Sequence, residues 1–574
     1  MMRSGKLYKS ILAVSFFLLV ATSALPQTAP PVILFTDLTS GPNTGGENNN
    51  GTILTIYGRN FGVTQGTSTV TVGGGAVAAV NQWGGTSKAG TAAAQLQTIS
   101  VAIGSAAKTG TVVVTTANGA STCENMQDNC QFTVRTGNIY CVSTAGSDSN
   151  AGTFPSSCWK TIPHAVHTIA AGSTVYIENG VTQTAQDNYA AAVSVQTGCT
   201  STAPCALVAY PGATATINGS SLSYAMRTPE VGGGPFNYWT IAGITFVAPD
   251  SLDLYAVQGW RIVNNDMSCP TGNGESACHH TDSSTYEYFY GNYVHDVGDQ
   301  NGENGSCSTS GCNVDKYFHG IYYTTNSNHI WVGWNESNNN PNGSTTQGGC
   351  RGIQFYSTGG SNQFDEHVHD NYIHNAICDG INFSTVDPSE GTVEAYNNVV
   401  FHVGTGPDPF NGSSNYSCIV AGGGGSSNVL AYNNTFYDCG SRKTSDAGAF
   451  DPTGPAIAAY NNITYQLSGE SYLNPNASAS SLSGSNNIWY GLSSAPSQTS
   501  ANISVSPLFS TAGTDFTLQS TSPAIGAGTS TQHSTWDFLG SGRPSPPSIG
   551  AYEYGSSTTV QRPNPPSGLA ATVN

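Results

Sequence analysis

Between residues 262 and 487 an Asn recurs eight times between apolar stretches: Ile262-Val-Asn-Asn265, Phe289-Tyr-Gly-Asn292, Val332-Gly-Trp-Asn335, Val368-His-Asp-Asn371, Ala395-Tyr-Asn-Asn398, Ala431-Tyr-Asn-Asn434, Ala459-Tyr-Asn-Asn462 and Gly484-Ser-Asn-Asn487. Successive copies lie 25 to 43 residues apart, the length of one solenoid turn plus a connection of variable size. Asn suits such a place because it tolerates the left-handed backbone of a tight bend and its amide can bond the Asn of the neighbouring coil. Stacked Asn ladders of this kind point to an all-β chain whose main body is a right-handed parallel β-helix.

A second repeat runs in phase with the first: His319-Gly-Ile-Tyr-Tyr323, Arg351-Gly-Ile-Gln-Phe355, Asp379-Gly-Ile-Asn-Phe383 and a weaker Ser417-Cys-Ile-Val-Ala421. These are expected to be equivalent strands of successive coils, about 4.8 Å apart. The Ile and the aromatic residue two places on would point inward, leaving Tyr322, Gln354 and Asn382 as a solvent-facing polar column. The longest insertions, near Asp296 to Phe318, Glu336 to Cys350 and Thr405 to Ser417, all precede these strands. They would leave one edge of the solenoid and wall a groove beside the column.

Ahead of the repeats, alternating stretches such as Thr52-Ile-Leu-Thr-Ile-Tyr57 and Thr69-Val-Thr-Val72 stand between glycine-rich turns and read as a small β-sandwich over residues 31–136. Leu38-Thr-Ser-Gly-Pro-Asn-Thr-Gly-Gly46, Thr55-Ile-Tyr-Gly-Arg-Asn-Phe-Gly62 and Val70-Thr-Val-Gly-Gly74 closely resemble the immunoglobulin-like TIG (IPT) family. That resemblance implies a spacer or sugar-binding appendage without chemistry of its own. Next come Tyr140-Cys-Val-Ser-Thr-Ala-Gly-Ser-Asp-Ser-Asn-Ala-Gly-Thr153 and Cys158-Trp-Lys-Thr-Ile-Pro-His-Ala-Val166. They resemble the opening of pectate-lyase-like β-helix proteins, where a short helix caps the first coil. Ile162, Ala165, Val166 and Ile169 have helical spacing, and Lys160 belongs to this cap. The stretch from Val505-Ser-Pro-Leu-Phe509 to Ile549-Gly-Ala-Tyr-Glu553 resembles the closing segment of such proteins, so the solenoid is expected over 138–554 with a flexible Pro/Ser/Thr-rich tail at 555–574.

Arg3, Lys6 and Lys9, the apolar run Ile11 to Val20 and the small residues before Ala24 read as a secretory signal peptide over 1–24. A secreted or cell-surface protein is therefore expected, as a monomer. No later segment has the sustained apolar run of a membrane span. Fourteen cysteines in an exported chain suit disulfides. Local pairs are expected at Cys123/Cys130, Cys141/Cys158, Cys199/Cys205, Cys269/Cys278 and Cys307/Cys312, with Cys350, Cys378, Cys418 and Cys439 left open. A formal charge of −18 without any Lys/Arg cluster argues against nucleic acid. It leaves room for an acidic polysaccharide bridged by a divalent cation.

The lyase resemblance implies proton abstraction beside a uronate carboxylate, with a Lys or Arg base and Ca2+ or a cationic side chain to stabilise the anion. Beyond the leader the lysines are Lys88, Lys108, Lys160, Lys316 and Lys443, and Lys316 stands three residues before His319 at the mouth of a repeat strand. Lys316 is the candidate base, with His319 as its substitute. Arg351 would neutralise the substrate carboxylate, and Tyr322, Gln354 and Asn382 would contact sugar. Asp299 and Glu303, in a loop that also carries Asp296 and Asp315, would join Asp379 around Ca2+. In Asp365-Glu-His-Val-His-Asp370 the alternation puts Glu366 and Val368 on the core side and His367 and His369 in solvent; these histidines and His374 form a reserve group. The Asn-Thr-Asp, Asp-Asp and Gly-His-Gly motifs of β-helix polygalacturonases are missing, and no Gly-x-Ser-x-Gly elbow has a strand-to-helix setting. The sequence thus favours a polysaccharide lyase, with a glycoside hydrolase or a non-catalytic polysaccharide-binding surface protein as alternatives.

Overall fold

The computed structural model describes residues 29–123, 129–230, 234–270, 276–298, 317–340, 348–358, 363–406, 414–442 and 446–555. The expected signal peptide, Cys307 and Cys312, and all but the first residue of the expected tail lie outside them.

From Ile139 to Tyr490 the chain winds through three all-parallel sheets of twelve, eleven and nine strands, visiting them in turn and pairing each strand with the one a coil away. This is the right-handed parallel β-helix. The repeat strands stack as their pattern predicts: Ile321, Ile353, Ile381 and Ile419 share one register in the third, nine-stranded sheet. They are buried, as are Tyr323, Phe355 and Phe383. Those three rings stack at centroid distances of 5.1 and 5.3 Å. Each fully buried side chain of this size contributes about 1.5–3 kcal/mol.

The Asn ladder forms across all eight coils. Asn265 Oδ1 accepts from Ile244 N, and each later Asn Oδ1 accepts from both the backbone N–H and the side-chain amide of the Asn one coil earlier, from Asn292 under Asn265 at 2.9 and 3.0 Å to Asn487 under Asn462 at 2.9 and 3.1 Å. The left-handed bend belongs to the residue before the ladder Asn, for example Asn397 (φ 53), Asn433 (φ 53) and Asn461 (φ 56). The doublet therefore divides two roles. The second Asn continues the ladder, and the first reaches outward: Asn397, Asn433 and Asn461 donate to the carbonyls of Trp536, Ser548 and Thr529. They clamp the closing segment, which folds back over the second sheet and buries Phe516, Phe538 and Tyr552 against Phe401, Tyr437 and Tyr372.

The first coil is capped by the helix Ile162–Thr168, with Thr161 as N-cap and Ile162, Ala165 and Val166 buried. Lys160 is exposed and bonds the Thr144 carbonyl.

Residues 32–134 form two facing sheets whose inner residues, such as Ile33, Ile56 and Ile99 from one and Val72, Val114 and Phe132 from the other, share a core. That core continues into the solenoid. Phe35 packs on Tyr290 and Trp334 at 5.6 and 5.2 Å, and Tyr176 Oη both accepts from Ile53 N and donates to Ile53 O. Arg261 donates to the carbonyl of Thr36 at 2.7 Å, and Arg135 to those of Gly172 and Pro204. At the Asn292 coil the bend residue is Gly291 (φ +66), where a Cβ would lie 2.6 Å from the Phe35 ring. The module is thus a docked part of the body, not the appendage that its sequence suggests.

Disulfides join Cys123 to Cys130, Cys141 to Cys158, Cys199 to Cys205 and Cys269 to Cys278, as spacing predicts, and Cys350 to Cys378 and Cys418 to Cys439. Among the described residues no helix is long and apolar enough to cross a membrane.

Candidate functional site

The strands Phe318–Thr324, Arg351–Tyr356 and Tyr416–Gly423, which follow the three long insertions in the sequence, all belong to the third sheet. Beside that sheet lies a cleft of about 620 Å³, floored by His280, Tyr322 and Gln354 and walled by Tyr317, Tyr356 and Ser414. His319 and Arg351 are register partners on adjacent coils at its inner edge.

Arg351 is held in place by Asp379, whose Oδ2 lies 3.2 Å from Nε, and it donates through Nη2 to Ser414 Oγ at 2.7 Å. Asp379 also accepts from Asn382 Nδ2 and from Ser417 N. Burial, against the pull of Arg351, raises the Asp379 carboxyl to about 7. His319 is only 3% exposed and its ring packs against Tyr322 at 4.7 Å. Burial first, then the positive charge of Arg351, holds its pKa well below the usual imidazole range, so His319 is neutral. Its Nδ1 has no hydrogen-bond partner among the described residues. A neutral imidazole next to a guanidinium can take a proton where negative charge develops nearby.

The polar column faces outward but is less open than its alternation suggests. Tyr322 is partly exposed, whereas Gln354 and Asn382 are 5% and 1% exposed. The reason is lateral cover: Ser384 accepts from Gln354 Nε2 at 3.1 Å and donates to Asn382 Oδ1. Lys316, Asp299 and Glu303 lie outside the described residues. Of the ligands expected for Ca2+ this leaves Asp379, whose oxygens already serve Arg351, Asn382 and Ser417. A dication there would face a guanidinium. Asp379 alone does not make a cation site. Among them the one cluster with ligand-like spacing is Cys141, Cys158 and Glu178, where the two sulfurs form a disulfide.

The alternation in Asp365 to Asp370 holds, but His367 and His369 are not in solvent. His367 is bonded between Asp365 and Glu394 and stacks on Trp331 at 5.3 Å; His369 lies against Asp370, Trp334 and Tyr396. His374 pairs with Glu336 on the second sheet, so the reserve histidines do not converge.

The sequence reading missed the other half of the column. Arg227, Asp253 and His280 continue the line of Tyr322, Gln354 and Asn382 in register. Asp253 bridges Arg227 at 2.9 Å and His280 at 3.0 Å, and the His280 ring is parallel to Tyr322 at 5.3 Å. Burial works against the His280 charge, but the hydrogen bond it donates to Asp253, with Asp250 and Asp282 nearby, raises its pKa. The signal was masked because His279 occupies the interior position that Ile holds in the other repeat strands.

No protein-family profile and no curated protein sequence matches the chain. Among solved structures it is similar to pectate lyase Pel9A (14% identity, TM-score 0.45, 73% of this chain and 97% of that one). It is also similar to an alginate lyase from Paenibacillus sp. str. FPU-7 (12%, TM-score 0.39, 58% and 97%) and to XylC in complex with xylose (9%, TM-score 0.40, 72% and 98%).

Proposed function

We propose that the protein is an extracellular polysaccharide lyase that cleaves a uronate-containing chain by β-elimination in the cleft of the third sheet. The observation that carries this is the neutral, buried His319 in register with Arg351. His319 removes the proton on the carbon next to the substrate carboxylate. Arg351 stabilises the resulting enolate, and Asp379, near neutrality itself, yields the guanidinium to the incoming carboxylate. The carbon–oxygen bond to the next sugar then breaks with its electrons, leaving a double bond in the ring. The departing oxygen takes a proton from the Tyr322 hydroxyl, which solvent restores. Tyr317 and Tyr356 offer ring faces to flanking sugars, and Gln354, backed by Asn382 through Ser384, holds the polar floor.

The test is ultraviolet absorbance of the unsaturated product on a panel of uronate polymers. Wild type should produce it and His319→Ala should lower the rate about 10²–10⁴-fold. A glycoside hydrolase is the second reading, favoured by two carboxyls of the third sheet raised by burial two coils apart, Asp379 and Asp451. New reducing ends without the absorbance would select it. Neither signal would select a binding protein.

A further inference from the structure

A second cleft, of about 440 Å³, lies where the N-terminal module meets the first sheet. Its solenoid wall is aromatic. Tyr238, Gly259 and Tyr286 occupy one register on successive coils, and all three have left-handed backbone (φ 58, 71 and 57). Gly259 clears the middle rung, because a Cβ there would stand 2.4 Å from the Tyr238 ring. Tyr286 is 40% exposed and rests on His329 at 4.5 Å. One column inward, Tyr288 stacks on Trp331 with an interplanar angle of 12°. The left-handed backbone continues at this register in His329 and Asp365 (φ 58 and 58), so it is the regular bend of the coil, and it turns the two tyrosine rings to the rim of the opening.

The other walls are fixed. Thr39 comes from the module, and Ser201 and Pro204 from a loop closed by the Cys199–Cys205 disulfide and tied to the module by Arg135. Gln258 adds a neutral amide. The charged residue of the lining, Arg261, turns its guanidinium to the carbonyls of Thr36 and Asp37. A preformed cleft of ring faces with a neutral polar rim matches a pyranose, whose C–H face stacks on aromatic rings while its hydroxyls meet amides and hydroxyls. No carboxylate partner is offered.

We infer that this cleft is a separate binding site for an uncharged polysaccharide, distinct from the cleavage cleft in both place and ligand class. The protein would hold a neutral wall polymer at the module junction while it acts on an acidic one elsewhere. Affinity electrophoresis of the full chain tests this in native gels containing arabinoxylan, galactomannan, hydroxyethylcellulose or galactan, with polygalacturonate and alginate as acidic controls. Wild type should be retarded by at least one neutral polymer. Tyr238→Ala with Tyr286→Ala should weaken that retardation about tenfold, and so, to a lesser degree, should Gln258→Ala. Tyr322→Ala in the other cleft should leave it unchanged, and circular dichroism checks folding of each variant. Retardation by no neutral polymer, or by uronates alone, overturns the inference, as does equal retardation of the folded double variant. Lyase turnover is read separately and its absence would not change this result.

Discussion

Arg351 Nε and Asp379 Oδ2 lie 3.2 Å apart across one rung of the third sheet, with the aspartate fully buried and the arginine nearly so. The pair fixes the guanidinium that His319 faces. Asp379→Asn keeps the shape and the Asn382 contact but removes the competing carboxyl. It is expected to bind uronate oligomers at least as tightly as wild type, whereas Arg351→Ala, which strands a buried carboxyl, should lose turnover and about 3 kcal/mol of stability. Calorimetric binding and chemical denaturation of the two variants check this, and tighter binding by Arg351→Ala would refute it.

The same carboxyl has a signature in pH. Its folded pKa is raised from 3.8 to about 7, as is that of Asp250, so between those values the native state holds more protons than the unfolded chain. Stability from these groups is therefore greatest below about pH 4 and falls as pH rises to about 7. Asp379→Asn and Asp250→Asn should each flatten that part of the curve of melting temperature against pH. An unchanged slope in both would show that burial does not control these groups.

Glu366 lies inside the solenoid at 0% exposure, and neither of its oxygens has a hydrogen-bond partner among the described residues. Burial, with Asp365 and Glu287 nearby, raises its pKa well above the usual carboxylate range. An unsatisfied buried carboxyl costs about 1–3 kcal/mol, so Glu366→Leu should raise stability by roughly that amount. Glu287 is the contrast. It accepts from His279, Thr281 and Tyr323 at 2.6 to 3.0 Å, and Glu287→Leu should destabilise by leaving them without an acceptor. Denaturant midpoints of opposite sign are the expected outcome.

Much of the solenoid was legible because each coil repeats what its neighbour needs: an Asn to bond the next Asn, and an Ile with an aromatic residue to stack on their equivalents. These constraints are local, so they are written as spacing. His319, Arg351 and Asp379 could be brought together from that spacing alone. The docking of Phe35 on Trp334 and the closing segment held by Asn397 and Asn433 join residues far apart in the chain, and no period records them. His280 was hidden for a different reason. Its strand carries His279 where the pattern wants an apolar residue, because Glu287 inside the core supplies a partner for the imidazole.

The shared core of module and solenoid gives the last expectation. Phe35 stacks on Tyr57 at 4.7 Å within its own module and packs on Tyr290 and Trp334 of the solenoid, so a single side chain belongs to both. Phe35→Ala should cost about 3–5 kcal/mol. Gly291→Ala, with its Cβ 2.6 Å from that ring and φ at +66°, should also destabilise although it adds only a methyl group. Because the losses fall on both bodies, calorimetry should show wild type melting in one transition. The substitutions should lower that transition or split it with the module melting first. Two independent transitions in wild type, with Phe35→Ala moving only one of them, would mean that the interface contributes little to either body.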